Sequence, residues 1–499
     1  ADNVNTERGG LRPLEGLLDI LDLAKSNVRT IYRFGQSVDS ATSFWFHWTT
    51  DVDVVKGPIA NDTAERTYWT GDGAPKYTTA AIGTSGTNLP AASRPLGVAP
   101  PASAPLLAAS GTAADGALSE TRVYIYTFVS ELGEESAPSS PATVDILIGQ
   151  GVTLSGLLTT ADNGAVLGAK RIYRAQRGVY LFVAEIPATD LSYNDTIASD
   201  SLGEACPSVD WDMPSDSMTA LTGGANGMMA ALDGYTVRLC EPFRPHAWPM
   251  KYAQTVMFPT VGLGSFGQSF VILTTGLPYV LTAAHPGNAS LTPAEFYQPC
   301  VSKRSIVSAA GSVMWASPDG LVALGASGMQ NLTEGIFTPA QWRALRPETL
   351  LGEWHEGWYV GSYDPGDGVV GFMFRPATQE WVSLPTLAAT AMHRDTVGDA
   401  LYVCVGDRIQ QFRGGALMNY TWKSQEIVTP LTDFVAARVT GAYPLTFKLY
   451  KGGNLAMTKS VTSDEPFRLP AGLTRRWEIE VSGANELLGA AIATSEGEL

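Results

Sequence analysis

Positive charge is scarce in this sequence. Its 499 residues carry 33 Lys and Arg against 49 Asp and Glu, a formal net charge of −16. Such a chain does not grip nucleic acid by neutralising phosphates, which requires clustered Lys and Arg. Charge of either sign is sparse at 16%, where about 25% is usual. With 45% hydrophobic residues, that balance implies extensive burial, within the chain or against other subunits. Cysteine is rare too. Cys206, Cys240, Cys300 and Cys404 are far apart and form no C-x-x-C, which argues against a disulfide framework and suits small core hydrophobes in a reducing compartment. His47, His246, His285, His355 and His393 are isolated, with no H-x-x-x-H pair. No apolar run reaches eighteen residues, and the N-terminal ADNVNTERGG lacks a basic-then-apolar layout. Neither a membrane segment nor secretion through a signal peptide is expected.

Helical pattern is nearly missing as well. Residues 11–24, with leucines near i, i+3, i+4 and i+7, are the one stretch that predicts a helix. What fills the rest is β pattern. From about residue 226 to 413 a unit of apolar strand, tight glycine turn and apolar strand recurs. Its turns fall at Gly234, Gly276, Gly320, Gly368 and Gly406, in steps of 42, 44, 48 and 38 residues. A period near 40–45 with several strands per unit predicts the blades of a β-propeller, whose sheets bury both faces against their neighbours.

Residues 89–118 are rich in Ala, Pro, Ser and Gly, an entry loop by composition. The strand-like Arg122–Val129 follows, then a series of short strands ending at Tyr193–Thr196. That pattern predicts an immunoglobulin or fibronectin III-like sandwich at 93–205, inserted into the β pattern around it. The expected organisation is therefore all-β in four parts. Residues 1–92 hold the N-terminal helix and first propeller strands, 93–205 the inserted sandwich, 206–418 the propeller blades, and 419–499 a β region closing the propeller.

Chemistry is hard to find. Gly262–Gly267 fits G-x-G-x-x-G, but a strand follows it where a dinucleotide site needs a helix. Asp364, Asp367, Asp395 and Asp399 could offer oxygens to a hard cation, although Asp-Gly is also what hairpin turns prefer. Glu353, His355 and Glu356, flanked by Trp354 and Trp358, form the densest ionisable cluster and would suit a sugar site. Ser317-Pro-Asp319-Gly320 is a truncated echo of a sialidase turn. None amounts to a catalytic, cofactor or metal motif, so no enzyme, cofactor or metal is expected. The most specific loop is Glu241–Met250 (EPFRPHAWPM), where three prolines forbid a ladder. Its Phe243, His246 and Trp248 form a candidate subunit-contact anchor.

Several stretches carry a family resemblance: RTYWTGDGAPKYT (66–78), YNDT (193–196), NGMMAALDGYTVRLCEPFRPHAWP (226–249), WKSQEIVTP (422–430), EPFRLPAG (465–472) and IATSEGEL (492–499). Together they resemble the β-propeller nozzle, tubular or hub proteins of short-tailed bacteriophage tails. The resemblance implies a virion structural protein made in the host bacterial cytoplasm. It implies a homohexamer below the tail adaptor, touching fibres or tip proteins, with double-stranded DNA leaving through the lumen without specific binding. Two alternatives stand beside it: a propeller that binds or degrades polysaccharide, and a tail-tip receptor-binding protein.

Overall fold

The computed structural model describes residues 2–5, 10–35 and 44–499. With 49% strand and 6% helix, the chain is all-β. Seven antiparallel sheets follow one another along it. Sheet 1 is the hairpin Thr30–Phe34 and Phe44–Trp48. Sheets 2 to 6 have four strands each and start at Asp53, Thr219, Thr260, Val307 and Leu351. Sheet 7 comprises Ala389–Asp395, Ala400–Val405 and Arg408–Gln411, with Leu18–Asp22 added at its outer edge.

The recurring glycine turns occupy one position throughout. In sheets 3 to 7, each falls between the second and third strands, or in sheet 5 opens the third. The second strands are apolar on both faces because each sheet is covered on both sides. In Ser269–Thr274 of sheet 4, Phe270 and Ile272 pack toward sheet 3, while Val271 and Leu273 pack toward sheet 5, as the two-residue period of a strand dictates.

Apolar clusters fill every interface between successive sheets and return to the start. Phe46 and Trp48 meet Trp69 between sheets 1 and 2, and Tyr68 meets Met229 between sheets 2 and 3. Met314 meets Tyr359 between sheets 5 and 6, and Val360 meets Val403 between sheets 6 and 7. Ile31 and Trp45 meet Ala391 and Ile409 between sheets 1 and 7. From sheet 2 round to sheet 7, and from sheet 7 back to sheet 1, the first strands of successive sheets touch. The seven sheets thus close into a ring.

Two further two-sheet units flank it. The strand Arg94–Pro95 ends sheet 2, and sheet 3 begins at Thr219. Between them lie a three-stranded sheet (Leu106–Ser110, Gly151–Ser155, Ser192–Asp195) and a four-stranded sheet (Ala142–Leu147, Ser119–Ser130, Leu167–Gln176, Val179–Pro187), packed on a core that includes Tyr124, Tyr126, Phe128 and Ile172.

Two expectations are corrected. Residues 11–24 are not a helix. Arg12–Pro13 and Leu18–Asp22 are strands, and the latter closes sheet 7 by pairing with Arg408–Gln411. Pro13 and Gly16 weaken helix in the first half, and an available sheet edge nearly 400 residues away decides the second. Asp19 accepts hydrogen bonds from Arg408 at 3.0 Å and Gln410 at 2.5 Å. Nor does 419–499 close the ring. It forms its own five-stranded and three-stranded sheets around Phe447, Leu449, Trp477 and Val481. The N-terminal segment ties it on: Asp2 bridges Thr421 and Ser383, and Leu11 bridges Leu487.

Candidate functional site: the axial cavity

The first strands of sheets 1, 2, 3, 6 and 7 converge on a cavity of about 320 Å³. At about 30 Å³ per water, that is room for roughly ten water molecules. Its lining includes Arg29–Tyr32, Asp51–Val54, Lys303, Arg304, Leu351–Glu353, Met392 and His393. Lys303 and Arg304 come from a short 3-10 turn, Lys303–Ser305, that enters sheet 5. They reach to the opposite side of the ring. Lys303 Nζ lies 2.7 Å from Asp53 Oδ2 of sheet 2. Arg304 Nε lies 3.1 Å from Asp51 Oδ1, and its Nη2 donates to the carbonyls of Arg29, at 2.8 Å, and of Thr390. Arg29 shares Asp51 at 3.1 Å. The axis is therefore crossed by a network of ion pairs.

Burial dominates the electrostatics. It pushes Asp53 up from the usual carboxylate range, against the opposing pull of Lys303. It lowers Arg304, with Asp51 opposing. His393 is driven down to about 4 and Tyr32 up to about 12 by the same desolvation. Their rings lie 4.9 Å apart. Glu353 is raised by burial, its amide hydrogen bond and the more distant Arg394 acting the other way. That hydrogen bond comes from the backbone N–H of Trp354, at 2.9 Å.

The residues singled out in the sequence scatter. Glu353 faces the cavity, whereas Glu356 sits in an exposed turn with a left-handed backbone (φ +47) and pairs with Arg413 at 3.0 Å. His355 is buried against Phe412. The two carboxylates thus open onto different surroundings and do not form a glycosidase pair. Asp395 is buried and paired with Arg33 of sheet 1. Asp364 Oδ1 accepts from the amides of Gly366 and Gly368, so it shapes its own turn. Among the described residues no three His, Cys, Asp or Glu side chains gather as a metal site. Gly262–Gly267 lies in Thr260–Phe266 and the turn after it. A Cβ at Gly264 would stand 2.4 Å from Val313 Cγ1, so this glycine lets sheets 4 and 5 approach closely. Ser317 binds Gln298 at 2.5 Å and, through its carbonyl, the Trp342 indole at 2.8 Å.

The Glu241–Met250 loop is mostly interior. Trp248 is fully buried between sheets 2 and 3, its Nε1 donating to the Pro245 carbonyl at 2.7 Å and its carbonyl accepting from Arg238 at 2.6 Å. His246 is buried edge-on to Trp211, and desolvation lowers it to about 3. Of the three anchor residues only Phe243 reaches the surface, half exposed and lying on Gly227, where a Cβ would come within 2.5 Å of its ring. Of the three anchor residues, two therefore serve the chain's own core.

Apart from Glu353, and His393 as an isolated histidine, the cavity residues were not singled out in the sequence. Lys303-Arg304 is one of three adjacent basic pairs in a chain poor in charge, which is the signal that could have found them.

No family model and no curated protein matches this chain. Among solved structures there are distant likenesses. The BBS1N chain crystallised in complex with ARL6DN is 10% identical with a TM-score of 0.32, covering 81% of this chain and 99% of its own. The extracellular domain of a putative hybrid two-component system from B. thetaiotaomicron is 8% identical with a TM-score of 0.33, covering 94% of this chain and 56% of its own. PorZ from Porphyromonas gingivalis is 11% identical with a TM-score of 0.26, covering 86% of this chain and 62% of its own. Likenesses this weak carry no functional argument.

Proposed function

We propose that this chain is a non-enzymatic structural component of a short-tailed bacteriophage tail, whose copies assemble into a closed ring that conducts the genome. We infer that its own ring of sheets is a seven-bladed propeller serving as scaffold. One observation carries the assembly reading. The outer strands of the C-terminal unit leave apolar side chains uncovered: Val428 is 70% exposed, Leu431 58% and Leu455 56%. These residues lie on Ile427–Thr432 and Asn454–Val461, the two edges of the five-stranded sheet. Uncovered apolar edges favour pairing with other chains and call for a partner.

The axial network refines how DNA would travel. A cavity of about 320 Å³ crossed by Arg304 and Lys303 admits no duplex. The conduit in this proposal lies between copies, around an axis outside each chain. A net charge of −16 gives such a lumen little adhesion for phosphates. Repulsion acts within about 8 Å at physiological salt, so it matters where the lumen is narrow. The tail adaptor on one side and fibres or a tip protein on the other are the partners this role requires.

Light scattering on the purified chain, alone and with the adaptor, tests the proposal. A closed oligomer with an open lumen in negative stain is the expected result. A monomer under both conditions counts against it.

A further inference from the structure

The contact between copies can be placed, on the premise that the chain assembles with itself as proposed above. Two surfaces leave aliphatic side chains in water, and they belong to opposite flanks of the ring. The first is the tip of the two-sheet unit that lies between sheets 2 and 3. Leu118 is 73% exposed there, Ile148 51% and Leu147 41%. They form one cluster: the Ile148 amide donates to the Leu118 carbonyl at 2.9 Å, and Leu147 lies opposite Ser119. The other end of the unit is fastened to sheet 2. Glu134, whose carbonyl accepts from the Ser130 amide, is buried beside Arg66 at 3.3 Å, and Leu132 packs with Tyr68 and Tyr77. The strand Ser119–Ser130 joins the two ends. At about 3.3 Å per residue it carries the tip roughly 35–40 Å from its mooring.

The second surface is the C-terminal edge that bears Val428 and Leu431. Leu473, 63% exposed, extends it, because Val428 lies opposite Arg476 and Thr432 opposite Thr474. This unit is tied to sheet 6, where Asp2 bridges both Thr421 and Ser383. In a closed ring of seven, sheets 2 and 6 are as far apart as two sheets can be. Different surfaces on opposite flanks are what a head-to-tail contact uses, and such contacts close into rings.

Their charges are complementary. Asp115, in the turn before Leu118, and Asp145, which accepts from the Thr121 hydroxyl at 2.5 Å, are exposed. Among the described residues neither has a cation within ion-pairing distance, while Glu120 nearby is neutralised by Arg122 at 2.5 Å. The edge has the opposite balance. Arg476 takes Glu426 at 3.5 Å and Lys451 takes Asp433 at 3.7 Å, which leaves exposed Arg475 with no carboxylate in reach among the described residues.

We propose that the tip of one copy seats on this edge of the next, with Leu118, Leu147 and Ile148 against Val428, Leu431 and Leu473, and the tip aspartates toward Arg475. Cross-linking of the full chain tests this, since all four native cysteines are buried. Ile148→Cys and Val428→Cys are made separately with tags of different size, then oxidised alone and mixed. The mixture should yield a disulfide-linked pair with one chain of each kind, and neither variant alone should cross-link. The yield should fall severalfold from low to high salt as the charges are screened; an unchanged yield contradicts the charge match. A cross-link within one variant alone means like-to-like packing and overturns the proposal. No cross-link in a mixture that light scattering shows to be a closed oligomer overturns this contact and leaves the ring reading standing. No cross-link and no oligomer counts against both. Flotation of the wild-type chain with phosphatidylcholine vesicles, lost in Leu118→Asp, would assign the tip to a lipid surface and overturn the contact as well.

Discussion

Replacing Arg33 by Ala should unfasten the ring where its first and last sheets meet. Arg33 lies on Thr30–Phe34 of sheet 1 and Asp395 on Ala389–Asp395 of sheet 7. Their side chains are only 4% and 7% exposed, and they form a direct ion pair. Asp395 also accepts from the amides of Val397, at 3.0 Å, and Gly398, at 3.1 Å. Removing the guanidinium leaves a carboxylate buried beside two turn amides and no cation. Breaking a buried pair from one side costs about 3–5 kcal/mol. At about 2 °C per kcal/mol for a unit of this size, the melting midpoint should fall by about 6–10 °C. Asp395→Ala should also destabilise the fold, because it removes the carboxylate that the Arg33 guanidinium binds. The double variant leaves no lone charge, so its loss should be smaller than the sum of the singles by at least about 1–2 kcal/mol. Circular dichroism melts of the four proteins measure this directly. A shift below 2 °C for R33A, or strict additivity, would refute the idea that this pair clamps the ring.

Trp248→Ala should cost about 3–5 kcal/mol, since it empties a fully buried site between sheets 2 and 3; Phe243→Ser should change the monomer's melt by less than about 0.5 kcal/mol. Gly264→Val should destabilise by about 1–3 kcal/mol through collision with Val313, read by chemical denaturation. Acid should weaken the fold through its buried histidines. His246 and His393 are held neutral, near 3 and 4, below the ordinary value of 6.5. Their folded forms resist protonation, so stability is full above about pH 6.5 and falls as pH drops toward those values, by up to about 1.4 kcal/mol per unit for each group. His246→Gln should flatten that slope in melts taken from pH 7 to 4; an unchanged slope would show that His246 is not the group responsible.

Much of the ring was legible because its signal is local. A glycine between two apolar strands marks a hairpin wherever it recurs, and in sheets 3 to 7 it always marks the same one. The closing strand was not legible. Leu18–Asp22 has leucines at helical spacing, all five residues are exposed, and what makes it β is an edge reached only after nearly 400 residues of chain. Trp248 shows the same limit from another side. An aromatic in a proline-rich loop looks like a surface anchor until the fold supplies Tyr68, Leu221 and Met229 around it. The cavity was invisible for a related reason. Asp51, Asp53, Lys303, Arg304, Glu353 and His393 come from widely separated segments, and only the ring's closure makes them neighbours. Glu353 did stand out in the sequence, but with Glu356 as its partner, and the turn at Glu356 faces the other way.

The most direct measurement is electron microscopy of the short phage tail to which the proposal assigns this chain. The account predicts several copies of this chain around one axis, the DNA path running between copies and each chain's own ring still crossed by Lys303 and Arg304. Density for a single copy, no density in the appendage, or a DNA path through the middle of one chain's seven sheets would contradict it.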